Sequence, residues 1–178
     1  MFLDRDGILN EKMPEGHYVT RPEEFHVLAG VPEALRRLNG AGLRVIVVSN
    51  QRGISKGLYT ASDVEAIHAE FQRLLNGAGA RVDAFFICPH DKGQCNCRKP
   101  LPGLFEQAVE QFPGIAAATS VMIGDSISDI EFGRRLGMTT IFIEGEPKRQ
   151  KSGAEDAANL ADMRFPSLPY AVEALLAH

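Results

Sequence analysis

Phe2-Leu3-Asp4-Arg5-Asp6-Gly7-Ile8-Leu9-Asn10 is the stretch on which the reading of this chain turns. Two apolar residues run into an Asp-x-Asp pair closed by glycine, so a buried strand would deliver both carboxylates to a turn at its carboxyl end. In open α/β sheets that is the end at which ligands bind. Residues two apart on a strand point the same way, and a turn at Gly7 lets the second carboxylate swing beside the first. One aspartate could then attack while the other moves protons. Alone, the pair reads as well as a strand end capped by solvated carboxylates, so its meaning depends on the rest of the chain.

Downstream of this turn the elements alternate in type. The expected strands are Met1 to Asp4, Arg44 to Asn50, Val82 to Cys88, Val121 to Asp125 and Thr139 to Ile143, with Asp162 to Phe165 as an edge strand. Arg44 to Asn50 is the β-branched run of a strand buried on both faces. Helices are expected after Val31-Pro32, after Thr60 with Thr60-Ala61-Ser62-Asp63 as its cap, after Pro102-Gly103, from Ile127 to Leu136, and from Pro169 to Ala177. Glu11 to Gly30 reads as a long loop over the strand ends, with brief extended patches at His17 to Val19 and Phe25 to Leu28, and Gly145 to Ala158 as a mobile loop. Such alternation predicts a doubly wound, mostly parallel, Rossmann-like α/β sheet. With 178 residues and no linker-like shift in composition, residues 1–178 form one expected domain.

Composition narrows the partners. The chain is 44% hydrophobic and 24% charged with a formal net charge of -4, which disfavours nucleic-acid backbone and favours a small anionic substrate held by a local basic pocket. No apolar run approaches the roughly 20 residues of a membrane span, and no signal-type stretch opens the chain. A cytoplasmic monomer is expected. The cysteines, Cys88, Cys95 and Cys97, are odd in number and clustered, which argues for metal rather than disulfides. With His90 they make a Cys3His set within ten residues, suited to a closed tetrahedral Zn2+ site of structural role.

Three strand ends carry Asp4/Asp6, Ser49/Asn50 and Gly124-Asp125, and Arg98-Lys99 precedes Pro100. Asp-x-Asp-Gly, a strand ending in Ser, a Lys, and Gly-Asp-x-x-x-Asp over Asp125 to Asp129, in this order, resemble the haloacid dehalogenase superfamily of aspartate-based phosphotransferases. The chemistry suits the residues. Asp4 can attack phosphorus to form an acyl phosphate, and Asp6 can protonate the leaving alkoxide and later activate water. Asp4 and Asp125, with the main-chain oxygen of Asp6, would offer oxygen ligands to Mg2+. Ser49, the amide of Asn50 and Lys99 would stabilise the transferring phosphoryl group. Alone, Ser49 could equally bond backbone, and Lys99 could be a solvated surface charge.

Together with Ser-Asn-Gln-Arg-Gly-Ile-Ser-Lys-Gly and Cys-Arg-Lys-Pro-Leu-Pro-Gly, these motifs are similar to those of the heptose bisphosphate phosphatases, cap-less members of the superfamily. The resemblance implies removal of the 7-phosphate from D-glycero-D-manno-heptose 1,7-bisphosphate, with His17 to Arg21, Gln51, Arg52, Lys56 and Arg98 gripping the sugar and its distal phosphate. Two departures stand out: the segment between His90 and Cys95 is short, nearer to histidinol-phosphate phosphatases, and Ser126 stands where many relatives carry a basic residue. A DNA 3'-phosphatase, sharing Asn-Gln-x-Gly-Ile and Arg-Lys-Pro, and a catalytically dead zinc-stabilised binding module are the remaining alternatives.

Overall fold

A computed structural model describes residues 1–150 and 152–177. The strands are β1 (Phe2–Leu3), β2 (Ile46–Asn50), β3 (Ala84–Cys88), β4 (Val121–Gly124), β5 (Thr139–Ile143) and β6 (Met163–Phe165). The helices are α1 (Val31–Gly40), α2 (Ala61–Gly77), α3 (Gly103–Gln111), α4 (Ile127–Leu136), α5 (Ala154–Leu160) and α6 (Leu168–Leu176). One sheet of order β3-β2-β1-β4-β5-β6 holds all six strands, and every pairing is parallel, beyond the mostly parallel sheet expected. The chain winds outward from β1 to β3 and then returns to place β4 on the other side of β1. The order reverses at β1, and the crevice that opens there is where such sheets take ligands.

Alternation along the strands divides the core. Phe2, Ile46, Val48 and Met122 pack with Leu104, Ala108 and Phe132 on one face of the sheet. Leu3, Val47, Ile123 and Ile141 pack with Leu35, Phe71 and Val172 on the other. Both faces are covered, as the continuous apolar runs of a parallel sheet require.

The strand boundaries are tighter than the apolar runs suggest, because side chains take over some ladder bonds. Val45 N donates to Asp83 Oδ2 at 2.7 Å and Val82 N to Gln72 Oε1 at 3.1 Å, so β2 and β3 start at Ile46 and Ala84. β1 is two residues long, yet its bonding continues through Asp4 N to Ile123 O (2.9 Å) and Ile46 N to Met1 O (2.9 Å). The Thr60 cap forms as expected, with Thr60 Oγ1 accepting from Asp63 N and the Asp63 carboxylate accepting from Thr60 N. The patch at His17 to Val19 makes no strand, and that at Phe25 to Leu28 contributes only a bridge between Asn10 and Val27.

The loop expected over Gly145 to Ala158 is corrected in its secondary structure, Lys151 lying outside the described residues. It contains a 3-10 turn (Pro147–Arg149) and most of α5. Arg149 bolts the turn down, bonding Lys12 O at 2.8 Å and pairing with Glu11 at 3.3 Å and Glu146 at 3.1 Å. α5 buries Ala157 against Ile130 and Phe142. A seven-residue helix that buries one alanine leaves no apolar period to read.

Candidate active site

Asp4 leaves β1 at the switch point, flanked by the ends of β2 and β4. Lys99 Nζ lies among three acceptors: Asp4 Oδ1 at 2.8 Å, Asp129 Oδ1 at 2.6 Å and Val48 O at 2.6 Å. Its side chain is 1% exposed. Burial alone would lower the pKa of this ammonium, but Asp129 and Asp4 more than offset it and hold the charge on. Asp129 sits on the first turn of α4, where its Oδ2 accepts from Ser126 N (3.1 Å) and Ser126 Oγ (2.6 Å).

Asp125, beyond β4, completes the cluster. Ligand atoms of Asp4, Asp125 and Asp129 all lie within 4.8 Å of one another, and all three residues are buried. Burial pushes the Asp4 carboxyl up, with the Asp129 charge adding to the shift and Lys99 opposing it. Burial likewise lifts Asp125 to about 6, against the pull of Lys12. Asp125 Oδ2 pairs with Lys12 Nζ, whereas the buried Oδ1 has no hydrogen-bond partner among the described residues. Gly7 is essential to this geometry: at φ 94°, a Cβ there would fall 2.1 Å from Asp125 Oδ2. Three crowded carboxylates with an orphaned buried oxygen are a donor set that fits a hard divalent cation.

Asp6 lines the same cleft but has donors of its own. Its carboxylate accepts from Arg5 Nε (3.2 Å) and Nη2 (3.0 Å), from Asn10 Nδ2 (3.0 Å) and from Gln51 Nε2 (3.3 Å). Burial would raise its pKa, but the Arg5 guanidinium and the amide donors reverse the shift and hold it below the usual carboxylate value. Gln51 also donates to Ser49 Oγ at 2.8 Å and accepts from Tyr59 OH at 2.7 Å, so it links the β2 end to Asp6. The side-chain amide of Asn50 clasps the Lys99 backbone, donating to Lys99 O (3.1 Å) and accepting from Lys99 N (3.0 Å).

Asp4, Asp6, Ser49, Asn50, Gln51, Lys99 and Asp129 line a cleft of about 830 Å³ whose wall also carries Arg52, Lys56, Arg98 and Lys148. Arg52 is paired with Asp91, its Nη2 lying 2.9 Å from Oδ2. Lys56 approaches the Tyr18 hydroxyl at 3.3 Å, and Arg98 Nη1 lies 3.5 Å from His90 O. The cleft thus brings together Ser49, Asn50, Gln51, Arg52, Lys56, Arg98 and Lys99 with His17, Tyr18 and Val19, whereas Thr20 and Arg21, expected to grip the sugar with them, lie outside its lining and bond Glu24 instead.

Cys88, His90, Cys95 and Cys97 converge beside the cleft. Their Sγ and Nδ1 atoms are separated by 3.8 Å (Cys88–His90), 3.5 Å (Cys88–Cys95), 3.4 Å (Cys97–His90) and 3.3 Å (Cys97–Cys95). A zinc–sulfur bond of roughly 2.3 Å implies tetrahedron edges of roughly 3.8 Å. The four atoms therefore enclose a volume that fits Zn2+, and the residue after Cys97 begins the Arg98-Lys99 pair.

Sequence reasoning left Asp129 as the end of a motif and passed over Lys12 and Arg5. The four-residue spacing from Asp125 was the available signal for Asp129, since it turns both carboxylates toward the strand ends at a helix start. Nothing in the local sequence marks Lys12, which comes from the loop after Asn10.

The fold and this carboxylate–lysine cluster define a haloacid-dehalogenase-type hydrolase, and residues 96–168 match the HAD-hydrolase-like family model. The chain is 36% identical over 169 residues to a Mycobacterium bovis protein named D-glycero-alpha-D-manno-heptose-1,7-bisphosphate 7-phosphatase, covering 94% of this chain and 86% of that one. It is also 36% identical over 153 residues to the Rhodopseudomonas palustris beta-heptose counterpart, covering 82% and 83%. The crystal structure of D,D-heptose 1,7-bisphosphate phosphatase from B. bronchiseptica, complexed with magnesium and phosphate, superimposes with a TM-score of 0.88 at 30% identity, covering 99% of this chain and 97% of the other. This chain belongs to the heptose-1,7-bisphosphate 7-phosphatase family.

Proposed function

We propose that the chain hydrolyses the 7-phosphate of D-glycero-D-manno-heptose 1,7-bisphosphate through a phosphorylated Asp4. The observation that carries this reading is the buried Asp4 held 2.8 Å from Lys99 Nζ at the floor of the cleft, with Asp125 and Asp129 beside it. Asp4 attacks phosphorus, the bond to the C7 oxygen breaks, and the departing alkoxide takes a proton from Asp6. Water then attacks the acyl phosphate, giving its proton to Asp6 and releasing phosphate and Asp4. Asp6 on Arg5 is in the ionised state that the second step uses. A phosphate dianion brought beside it favours the protonated state that the first step needs. Ser49 Oγ donates to the phosphoryl oxygens and Lys99 Nζ turns to them the hydrogen that serves Asp4 in the free chain, while Gln51 and Asn50 position those donors.

Asp4, Asp125 and the main-chain oxygen of Asp6 would hold Mg2+, which supplies charge neutralisation for an anionic nucleophile meeting an anionic substrate. Cys88, His90, Cys95 and Cys97 would hold Zn2+, pinning the loop that delivers Arg98 and Lys99. Arg52, Lys56 and Arg98 are the proposed contacts to the sugar and distal phosphate. We take residues 1–178 to act as one domain, a cytoplasmic monomer specific for a small phosphorylated sugar. Free thiols at Cys88, Cys95 and Cys97 and the acidic balance support this, and no helix among the described residues is long and apolar enough to cross a membrane.

The test is phosphate release from both anomers of the heptose bisphosphate, from histidinol phosphate and from a 3'-phosphorylated oligonucleotide, with the product's remaining phosphate located by 31P NMR. Fastest turnover of a heptose bisphosphate to the 1-phosphate is expected. Faster turnover of either other substrate would overturn the assignment.

A further inference from the structure

Lys12 is a buried charge to which the mechanism above gives no part. It comes from the loop after Asn10, is 7% exposed, and its ammonium pairs with Asp125 Oδ2. Its backbone carbonyl is fixed by Arg149 Nη1 at 2.8 Å, so the side chain is delivered from an anchored stem. It also lines the substrate cleft, alongside Asp4, Lys99 and Ser126. Ser126 puts no charge on this wall, and its hydroxyl is committed to Asp129 Oδ2 at 2.6 Å.

Counting charge at the cluster shows what Lys12 changes. The Asp6–Arg5 pair beside the cluster is neutral in sum and leaves the count unchanged. Asp4, Asp125 and Asp129 set three negative charges against the two ammonium groups of Lys12 and Lys99, leaving one negative charge once the carboxylates are ionised as ligands. A divalent cation makes the loaded site singly positive. Without Lys12 the same site would be doubly negative when empty of metal and neutral when loaded, and a neutral site attracts a phosphate dianion far less.

We propose that Lys12 is a charge-setting positioning residue: it weakens the hold of the free enzyme on magnesium so that the loaded site keeps a positive charge for the phosphoryl group. This rests on the phosphatase reading and adds to it a residue that trades metal affinity for anion affinity. The Oδ1 atom of Asp125, partnerless among the described residues, leaves an oxygen for the cation while Lys12 holds Oδ2.

The test compares wild type with Lys12→Gln, which keeps a hydrogen-bond donor without the charge, with Lys12→Met, and with Lys12→Arg, which keeps the charge. Calorimetric titration with Mg2+ alone is expected to show tighter binding in Lys12→Gln and Lys12→Met, on the order of tenfold, and near-wild-type binding in Lys12→Arg. Titration of the magnesium-loaded proteins with inorganic phosphate is expected to show the opposite, with phosphate held about tenfold more weakly by the two neutral variants. Thermal melts confirm folding, and Lys12→Gln carries the test if Lys12→Met does not fold. A merely structural lysine would move both constants the same way or leave Lys12→Gln like wild type. Magnesium affinity unchanged or weakened in the neutral variants, or phosphate affinity unchanged, overturns the inference. A wild-type chain that binds neither magnesium nor phosphate removes the phosphatase reading itself.

Discussion

Replacing Lys99 with methionine keeps the unbranched side chain up to the position of Cε and removes the charge that holds the active site together. In the native chain this ammonium is 1% exposed and serves Asp4 at 2.8 Å and Asp129 at 2.6 Å. The variant leaves two buried carboxylates facing each other and Asp125 with only Lys12 as counter-charge. Breaking a buried ion pair from one side costs about 3–5 kcal/mol. The upper figure applies if both carboxylates stay ionised, and the lower if Asp4 protonates, a change its raised pKa already favours. Lys99→Met should therefore lose about 3–5 kcal/mol in urea unfolding at neutral pH in magnesium-free buffer. Saturating magnesium should narrow that gap, because a ligand stabilises the state it binds and the cation gains more from uncompensated carboxylates. Turnover should still fall by about 10²–10³, since a donor to the phosphoryl oxygens is gone. A variant within about 1 kcal/mol of wild type without magnesium, or one whose deficit does not shrink when magnesium is added, would refute a counter-ion role for Lys99 in this cluster.

His68 gives a pH test away from the carboxylates. Its ring stacks on Phe85 (centroids 4.2 Å apart, 15° between planes), its Nε2 has no partner among the described residues, and burial drives its pKa down to about 3. The unfolded chain, titrating near pH 6.5, binds the proton first, so this stability is complete above pH 6.5 and is lost as pH falls toward 3, at about 1.4 kcal/mol per pH unit. Between pH 7 and 5 the wild type should lose roughly 2 kcal/mol more than His68→Leu, and identical acid slopes would contradict the burial argument. Protein purified without added zinc should contain close to one zinc per chain. Cys95→Ser or a strong chelator should remove it and lower the melting temperature, whereas a zinc-free wild type that melts unchanged would return the thiol cluster to a packing role.

The fold was legible where apolar runs and glycine or proline punctuation agree, as at Val45 to Val48 and Val121 to Ile123. It was least legible over Gly145 to Ala158, where a turn is held by Arg149 reaching Glu11, more than a hundred residues away in sequence. Such long-range polar contacts have no local period. The site divides the same way. Asp4, Asp6, Asp125 and the Cys3His set stand at strand ends or in a dense cluster, so their residue types and spacing suffice to suggest chemistry. The pairing of Asp6 with Arg5, the clasp of Asn50 on the Lys99 backbone and the contact of Lys12 with Asp125 depend on side-chain direction, which spacing does not determine.

The central claim is that phosphate passes through Asp4 on its way from C7 to water. Rapid-quench of a single turnover, with heptose 1,7-bisphosphate labelled at the 7-phosphate, tests this directly: label should appear on the protein within the first turnover, map to the Asp4 peptide, and decay at the rate of phosphate release. Asp4→Asn should trap none and turn over at background rate. A wild type that releases phosphate with no acid-stable protein label, or an Asp4→Asn variant that retains normal turnover, would contradict the account.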